Sequence, residues 1–244
     1  MAAELASHTN DEVVRLTPEM LRADMPAPSL EVSGRHIVWA FPTYSWGVPP
    51  VVRRFMRRVN LPGAGAVGHV MVTTCGDDIG RCADMWRRDI VSRGWKPIRA
   101  FSVTMPNTYV TMRGFDVDKR DVAVDKLANM PGRVADIAAH IDEDGPDDLV
   151  AGRMAWLKTA VVYPSFVRMG MSPVPFCHTD ACTGCGSCAE RCPMANIAMT
   201  GRRPQWGDDC AFCLGCYHVC PAHAVAYGKT TGSKGQYRGP DSFR

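Results

Sequence analysis

The 244-residue chain contains no apolar run long enough to cross a membrane. Its best stretch, residues 154–171, is broken by Lys158, Pro164 and Arg168, so no membrane span is expected. It also lacks an excess of either charge. Lys and Arg number 28 against 25 Asp and Glu, a formal +3, and that balance does not point to a nucleic-acid partner. Before residue 177 the only cysteines are Cys75 and Cys82, which confines any dense thiol chemistry to the C-terminal third. At 46% hydrophobic and 22% charged, the composition is that of an ordinary globular protein, and the length allows two domains.

That C-terminal third carries the strongest pattern. Cys182, Cys185, Cys188 and Cys192 are followed by Pro193, and Cys210, Cys213, Cys216 and Cys220 by Pro221. This is C-x2-C-x2-C-x3-C-P written twice. Three cysteines separated by two residues each let one loop offer thiolates to three irons of a cubane, while the fourth ligates the other cluster. The spacing therefore predicts Cys182, Cys185, Cys188 and Cys220 on one 4Fe-4S cluster, and Cys210, Cys213, Cys216 and Cys192 on a second. Structural zinc asks only for paired ligands, and a disulfide scaffold does not ask for this regular run. The repeat goes beyond cysteine: at an offset of 28, Pro193 meets Pro221, Ile197 meets Val225 and Met199 meets Tyr227. Each copy is expected to hold a cluster loop, a short helical turn after the Cys-Pro, and a short strand. Two clusters of about −2 each would bring the loaded chain to about −1. Over about residues 173–230 the segment resembles the bacterial 2x4Fe-4S ferredoxins.

Residues 1–145 read as alternating strands and helices. Val13–Leu16, His36–Phe41, Val67–Thr74 and Ile98–Thr104 are strand candidates. Val51, Val52, Phe55, Met56 and Val59 recur at helical spacing after Pro49, leaving Arg53, Arg54, Arg57 and Arg58 on a solvated face or a docking patch for an acidic partner. Ile79, Cys82, Ala83, Trp86 and Ile90 mark a second helix, stopped by Gly94. Val134, Ile137, Ala138 and Ile141 mark a last one, with Pro131 kinking or dividing its start. Such alternation implies a parallel sheet covered on both faces.

Three loops add a second resemblance. Phe41-Pro42-Thr43-Tyr44-Ser45-Trp46-Gly47, Thr73-Thr74-Cys75-Gly76 and Met105-Pro106-Asn107-Thr108-Tyr109-Val110 resemble segments of the flavodoxin-domain ferredoxins. The resemblance implies an α/β fold: a flavodoxin-like parallel sheet (1–145), a helical linker (146–172), and a small α+β 2x4Fe-4S ferredoxin domain with a C-terminal tail (173–244). It also implies FMN outside the carboxyl ends of the strands, with Tyr44, Trp46, Cys75, Gly76 and Asn107 as its contacts. Two features of that family are missing, the first strand and the Thr-Gly-Asn-Thr-like phosphate loop at a helix N-terminus. Val13–Leu16 then stands as the second strand, and the expectation is a reading frame that starts upstream of Met1.

The expected function is one-electron transfer between redox partner proteins in the cytoplasm, with FMN exchange in the N-terminal half. Alternatives are an oxidoreductase with its own organic substrate, for which Tyr109, Asp77 and Asp78 are the available acid-base groups, and an interaction module stabilised by its clusters. Phe212, Leu214, Ile197, Val225 and Tyr227 are expected to shield the clusters. Cys82 reads as a buried small hydrophobe. Cys75 and Cys177 are assigned no redox role, and His178, His218 and His223 are assigned packing or surface roles.

Overall fold

Three of the four apolar runs form strands in the computed structural model, which describes residues 1–32, 34–143 and 145–239. Helix α1 (Ala2–Thr9) and the single turn α2 (Pro18–Leu21) come first, followed by β1 (His36–Pro42), α3 (Pro50–Arg58), β2 (Gly68–Cys75), α4 (Cys82–Ser92) and β3 (Lys96–Thr104). The strands lie parallel in the order β1-β2-β3. The central strand β2 is buried nearly throughout, as a parallel strand with helices on both faces must be. Pro42 fits at the end of β1 because that strand is an edge and needs no further ladder donor.

On one face α3 and α4 bury Phe55, Met56, Met85, Trp86 and Ile90 against Trp39 and Met71. The two helices are clamped by the fork of Arg53 on the buried carboxylate of Asp89, at 2.5 and 2.7 Å. On the other face α1 packs on α5 (Arg120–His140), and Leu5, Val134, Ile137 and Ile141 cover Val70, Val72 and Phe101. Pro131 sits inside α5 without dividing it, since the run 120–140 stays helical on either side. The predicted strand at Val13–Leu16 is absent. Residues 11–17 have no regular structure, Val13 and Val14 are exposed, and strand propensity without a neighbouring ladder holds nothing in place.

Residues 155–170 form one helical run of alternating α and π turns: α6 (Ala155–Leu157), a π segment (Lys158–Val162), α7 (Tyr163–Ser165) and a second π segment (Phe166–Gly170). Pro164 does not interrupt the helical run, because it falls in the first turn of α7 after a π segment, where the normal i−4 bond is already displaced. This run docks across the carboxyl end of the sheet. Tyr163 donates its phenol to Val48 O at 2.6 Å, Thr159 donates to Trp46 O at 2.8 Å, and Lys158 bonds Asp78 at 2.6 Å.

The remainder holds β4 (Phe176–His178), α8 (Ser187–Glu190), β5 (Ile197–Thr200), β6 (Arg203–Trp206), α9 (Gly215–Val219) and β7 (Val225–Tyr227). β4 pairs antiparallel with β7, and β5 with β6. The first strand of one copy of the repeat thus pairs with the last strand of the other. The short helix lies before the Cys-Pro and not after it. Proline cannot donate to a helix and pushes the preceding residue out of it, and Cys220 is extended at φ −63, ψ 112. Strands β4 and β6 escaped the sequence reading because three or four residues, one of them Pro204, are too few for a period. Residues 240–244 of the expected C-terminal tail lie outside the described residues.

Candidate metal centre

The offset of 28 that organises the cysteines also organises the backbone around them. Left-handed backbone occurs at Gly184 and Gly186 in the first cluster loop, and at Phe212 and Leu214 in the second. It recurs after each Cys-Pro, at Ala195 (φ 47) and His223 (φ 49). In each copy an amide then turns back on the fourth cysteine. Asn196 N donates to Cys192 Sγ at 3.3 Å and Ala224 N to Cys220 Sγ at 3.2 Å. Phe212 N adds a bond of 3.3 Å to Cys210 Sγ. N–H groups aimed at sulfur stabilise negative charge there, which is what an iron-bound thiolate carries.

Crossed strand pairing brings cysteines of one run to those of the other. Burial raises the Cys216 thiol to about 12, helped by neighbouring Cys213, Cys210 and Cys192. Cys210 is pushed up to about 11 by burial, with Cys213 and Cys192 beside it. Cys188 is also raised, first by burial and then by Cys220 and Cys185. Cys192 therefore lies among the second run and Cys220 beside the first. Cys185 and Cys213 reach the surface, and the Ser187 hydroxyl 3.4 Å from Cys185 Sγ lowers that thiol.

An aromatic wall encloses the sulfurs. Phe176 stacks on Trp206 at 5.7 Å, and Phe212 meets Phe176 and Tyr227 edge-on at 6.0 and 5.6 Å. Phe212, Leu214, Ile197 and Val225 are buried and Tyr227 half-buried, all in one core with Cys188, Cys216 and Cys220. Trp206 was missed from the sequence. Its Nε1 is buried and has no hydrogen-bond partner, and the indole lies close enough to Cys216 to lower that thiol. Among the described residues no three His, Cys, Asp or Glu side chains converge tightly enough to hold a single metal ion. Cubane thiolates each bind a different iron and stand further apart, so eight thiols with inward N–H groups fit clusters in their donor chemistry.

Comparison with known proteins agrees with this donor set. Residues 178–197 match the 4Fe-4S binding domain family. A 50-residue stretch is 38% identical to a ferredoxin of Methanothermococcus thermolithotrophicus, covering 19% of this chain and 83% of that protein. The chain belongs to the ferredoxin family. At least one 4Fe-4S cluster follows from that membership, while no solved structure matches the chain. The ferredoxin segment is also joined to what precedes it: Met194 and Ala211 share a core with Trp39 and Phe55, and His218 Nε2 lies 2.7 Å from Thr108 O.

The five residues expected to hold FMN each have partners within the protein, and Cys75, Gly76 and Asn107 lie together. Tyr44 stands beside Cys213 and Cys210, and burial followed by those two thiols pushes its phenol well up. Trp46 lies under Lys158, whose ammonium is 5.0 Å from the ring centre. Ser45 and Trp46 both have positive φ in a tight turn closed by Tyr44 and Gly47, and Thr159 holds that turn down. Gly76 and Asn107 fill each other's space, since a Cβ on Gly76 would lie 1.9 Å from Asn107 Oδ1. Asn107 is further tied to Asp77 and Asp118, and Lys126 donates to Gly76 O at 2.8 Å. Cys75 and Cys82 are buried, their thiols pushed up by burial to about 11 and about 12. Tyr109, with a buried and unpartnered hydroxyl, packs against Phe115 and Phe166, away from Asp77 and Asp78 in their own hydrogen-bonded turn.

Proposed function

We propose that this chain is a one-electron carrier with two 4Fe-4S clusters, one held by Cys182, Cys185, Cys188 and Cys220, the other by Cys210, Cys213, Cys216 and Cys192. The observation that carries this is the crossed pairing β4·β7 and β5·β6, which sets Cys220 near Cys188 and Cys192 near Cys210, Cys213 and Cys216. When bound, such clusters accept and release single electrons at thiolate-held iron. The chain's own part is to orient eight thiolates, direct the amides of Asn196, Phe212 and Ala224 at sulfur, and keep water out with Phe176, Phe212, Trp206 and Tyr227.

The three parallel strands have the order of strands three to five in a flavodoxin-like sheet. We read residues 1–145 as that domain, 146–172 as its connection, and 173–244 as the ferredoxin domain. Its partners are redox proteins, and its compartment a reducing cytoplasm, where thiols stay free for iron. No helix among the described residues is long and apolar enough to cross a membrane. Flavin exchange is left out of this reading, because Tyr44, Trp46, Gly76 and Asn107 already have partners within the protein. Anaerobic reconstitution with iron, sulfide and flavin counted per chain tests the reading. About eight irons and no bound flavin are expected; four irons or fewer would overturn the two-cluster assignment.

A further inference from the structure

The face beside the second group of cysteines is basic, and the pairing of its arginines separates structural from available charge. A cleft of about 810 Å³ lies between α3, α4 and the helical run 155–170. Arg53, Arg57, Arg81, Arg87, Arg88 and Arg168 line it, against the single carboxylate of Asp84. Three of these are spent on ion pairs, Arg53 with Asp89, Arg81 with Asp84 and Arg87 with Asp147. Arg57, Arg88 and Arg168 are exposed and have no acidic partner among the described residues.

The cleft does not end there. A second cavity of about 440 Å³ shares Pro50 and Arg57 with it and continues to Cys210 and Ala211. Arg54 and Arg58 line that inner part but are occupied, Arg54 by Asp209 at 3.0 Å and Arg58 by the carbonyls of Arg22 and Met25. In the lining of the first cleft Trp156 is 61% exposed. Exposed Trp beside unpaired Arg is the composition of a protein-binding hot spot and not of a solvated surface.

We propose that this groove is the docking surface for an acidic electron-transfer protein, guided by Arg57, Arg88 and Arg168 and anchored on Trp156, which places the partner against the Cys210 end of the second cluster. Charge complementarity selects the partner, since three unpaired guanidiniums facing one way favour a surface rich in carboxylates. This rests on the one-electron-carrier reading. It adds to that reading which face exchanges electrons and with what kind of protein.

The test uses the reduced, fully loaded chain with three oxidants in stopped flow: rubredoxin as an acidic protein probe, cytochrome c as a basic one, and the small anion Fe(EDTA)⁻. The rubredoxin rate should fall more than tenfold as ionic strength rises from about 0.02 to about 0.5 M, since screening shortens the reach of the arginines to a few Å. The triple variant R57E/R88E/R168E should lose most of the low-salt rate with rubredoxin while its rate with cytochrome c holds or rises. The neutral triple variant R57Q/R88Q/R168Q should fall between, with iron content unchanged in both. A rubredoxin rate indifferent to salt and to charge reversal overturns the docking surface, and so does a variant effect confined to Fe(EDTA)⁻, which would make the cleft a small-anion site. If cytochrome c is not reduced either, the electron-carrier reading itself fails and the docking surface falls with it.

Discussion

Phe212 and Leu214 hold the left-handed backbone of the second cluster loop that Gly184 and Gly186 hold in the first. A side chain in that conformation costs about 1–2 kcal/mol, and burying Phe212 and Leu214 at 3% and 4% exposure offsets it at about 1.5–3 kcal/mol each. The same shape is therefore reached once by freedom and once by packing. Cross-ligation is testable by which cysteine losses add. Cys192→Ser with Cys213→Ser should leave about four irons, because both belong to one site, whereas Cys192→Ser with Cys185→Ser should leave almost none. Equal loss in the two pairs would refute the crossed assignment. Trp206→Phe keeps the stack on Phe176 but removes the buried N–H beside Cys216. The reduced cluster should lose stabilisation, lowering one potential by a few tens of mV in an EPR-monitored titration and leaving the other in place.

The helical run 155–170 shows how an element with little periodicity of its own is held by what it touches. Its π turns and exposed Val161 and Val162 gave no clean amphipathic signal, yet Thr159 and Tyr163 are buried and bonded to the 46–48 loop. Gly47 is required for that contact, because a Cβ there would meet the Tyr163 ring at 2.4 Å. Gly47→Ala should destabilise the protein by about 1–3 kcal/mol in chemical denaturation, with iron content unchanged. A neutral result would mean that the run is not docked as described. The β1-β2-β3 sheet, by contrast, was legible from apolar runs and turn residues alone. Val13–Leu16 misled because its apolar residues have no ladder to join.

Across the whole molecule, the two halves share cores, so they should not be separable without loss. Val110 and Phe166 pack into the ferredoxin core, and Met194 and Ala211 into the core of the sheet. A fragment of residues 173–244 should hold fewer than eight irons and melt well below the full chain; equal iron content and melting temperature would show that the shared packing is dispensable. Buried thiols couple stability to pH. Cys75 and Cys210 are raised to about 11, and Cys82 and Cys216 to about 12, from an unfolded value near 9. A raised thiol stabilises the fold while protonated, in full below pH 9, and that contribution is lost as pH climbs through 11–12. The iron-free protein should therefore lose stability between pH 9 and 12 in denaturant titrations. Cluster-loaded protein should lose less over that window, since its ligating thiols are already deprotonated.

What the sequence by itself determined is chemistry and period: eight thiolates at cubane spacing, a repeat of 28, and apolar runs that specify a parallel sheet. These are local properties, set by residue type and short spacing. The crossed assignment of Cys192 and Cys220 was likewise an expectation of that spacing; tertiary structure decided which strand closes on which. It also stacked Trp206 on Phe176 and turned a row of arginines on α3 into one wall of a groove that reaches Cys210. Each of these depends on contacts between residues far apart in the chain, whose energy comes from burial and charge pairing in three dimensions and leaves no short-range pattern to read.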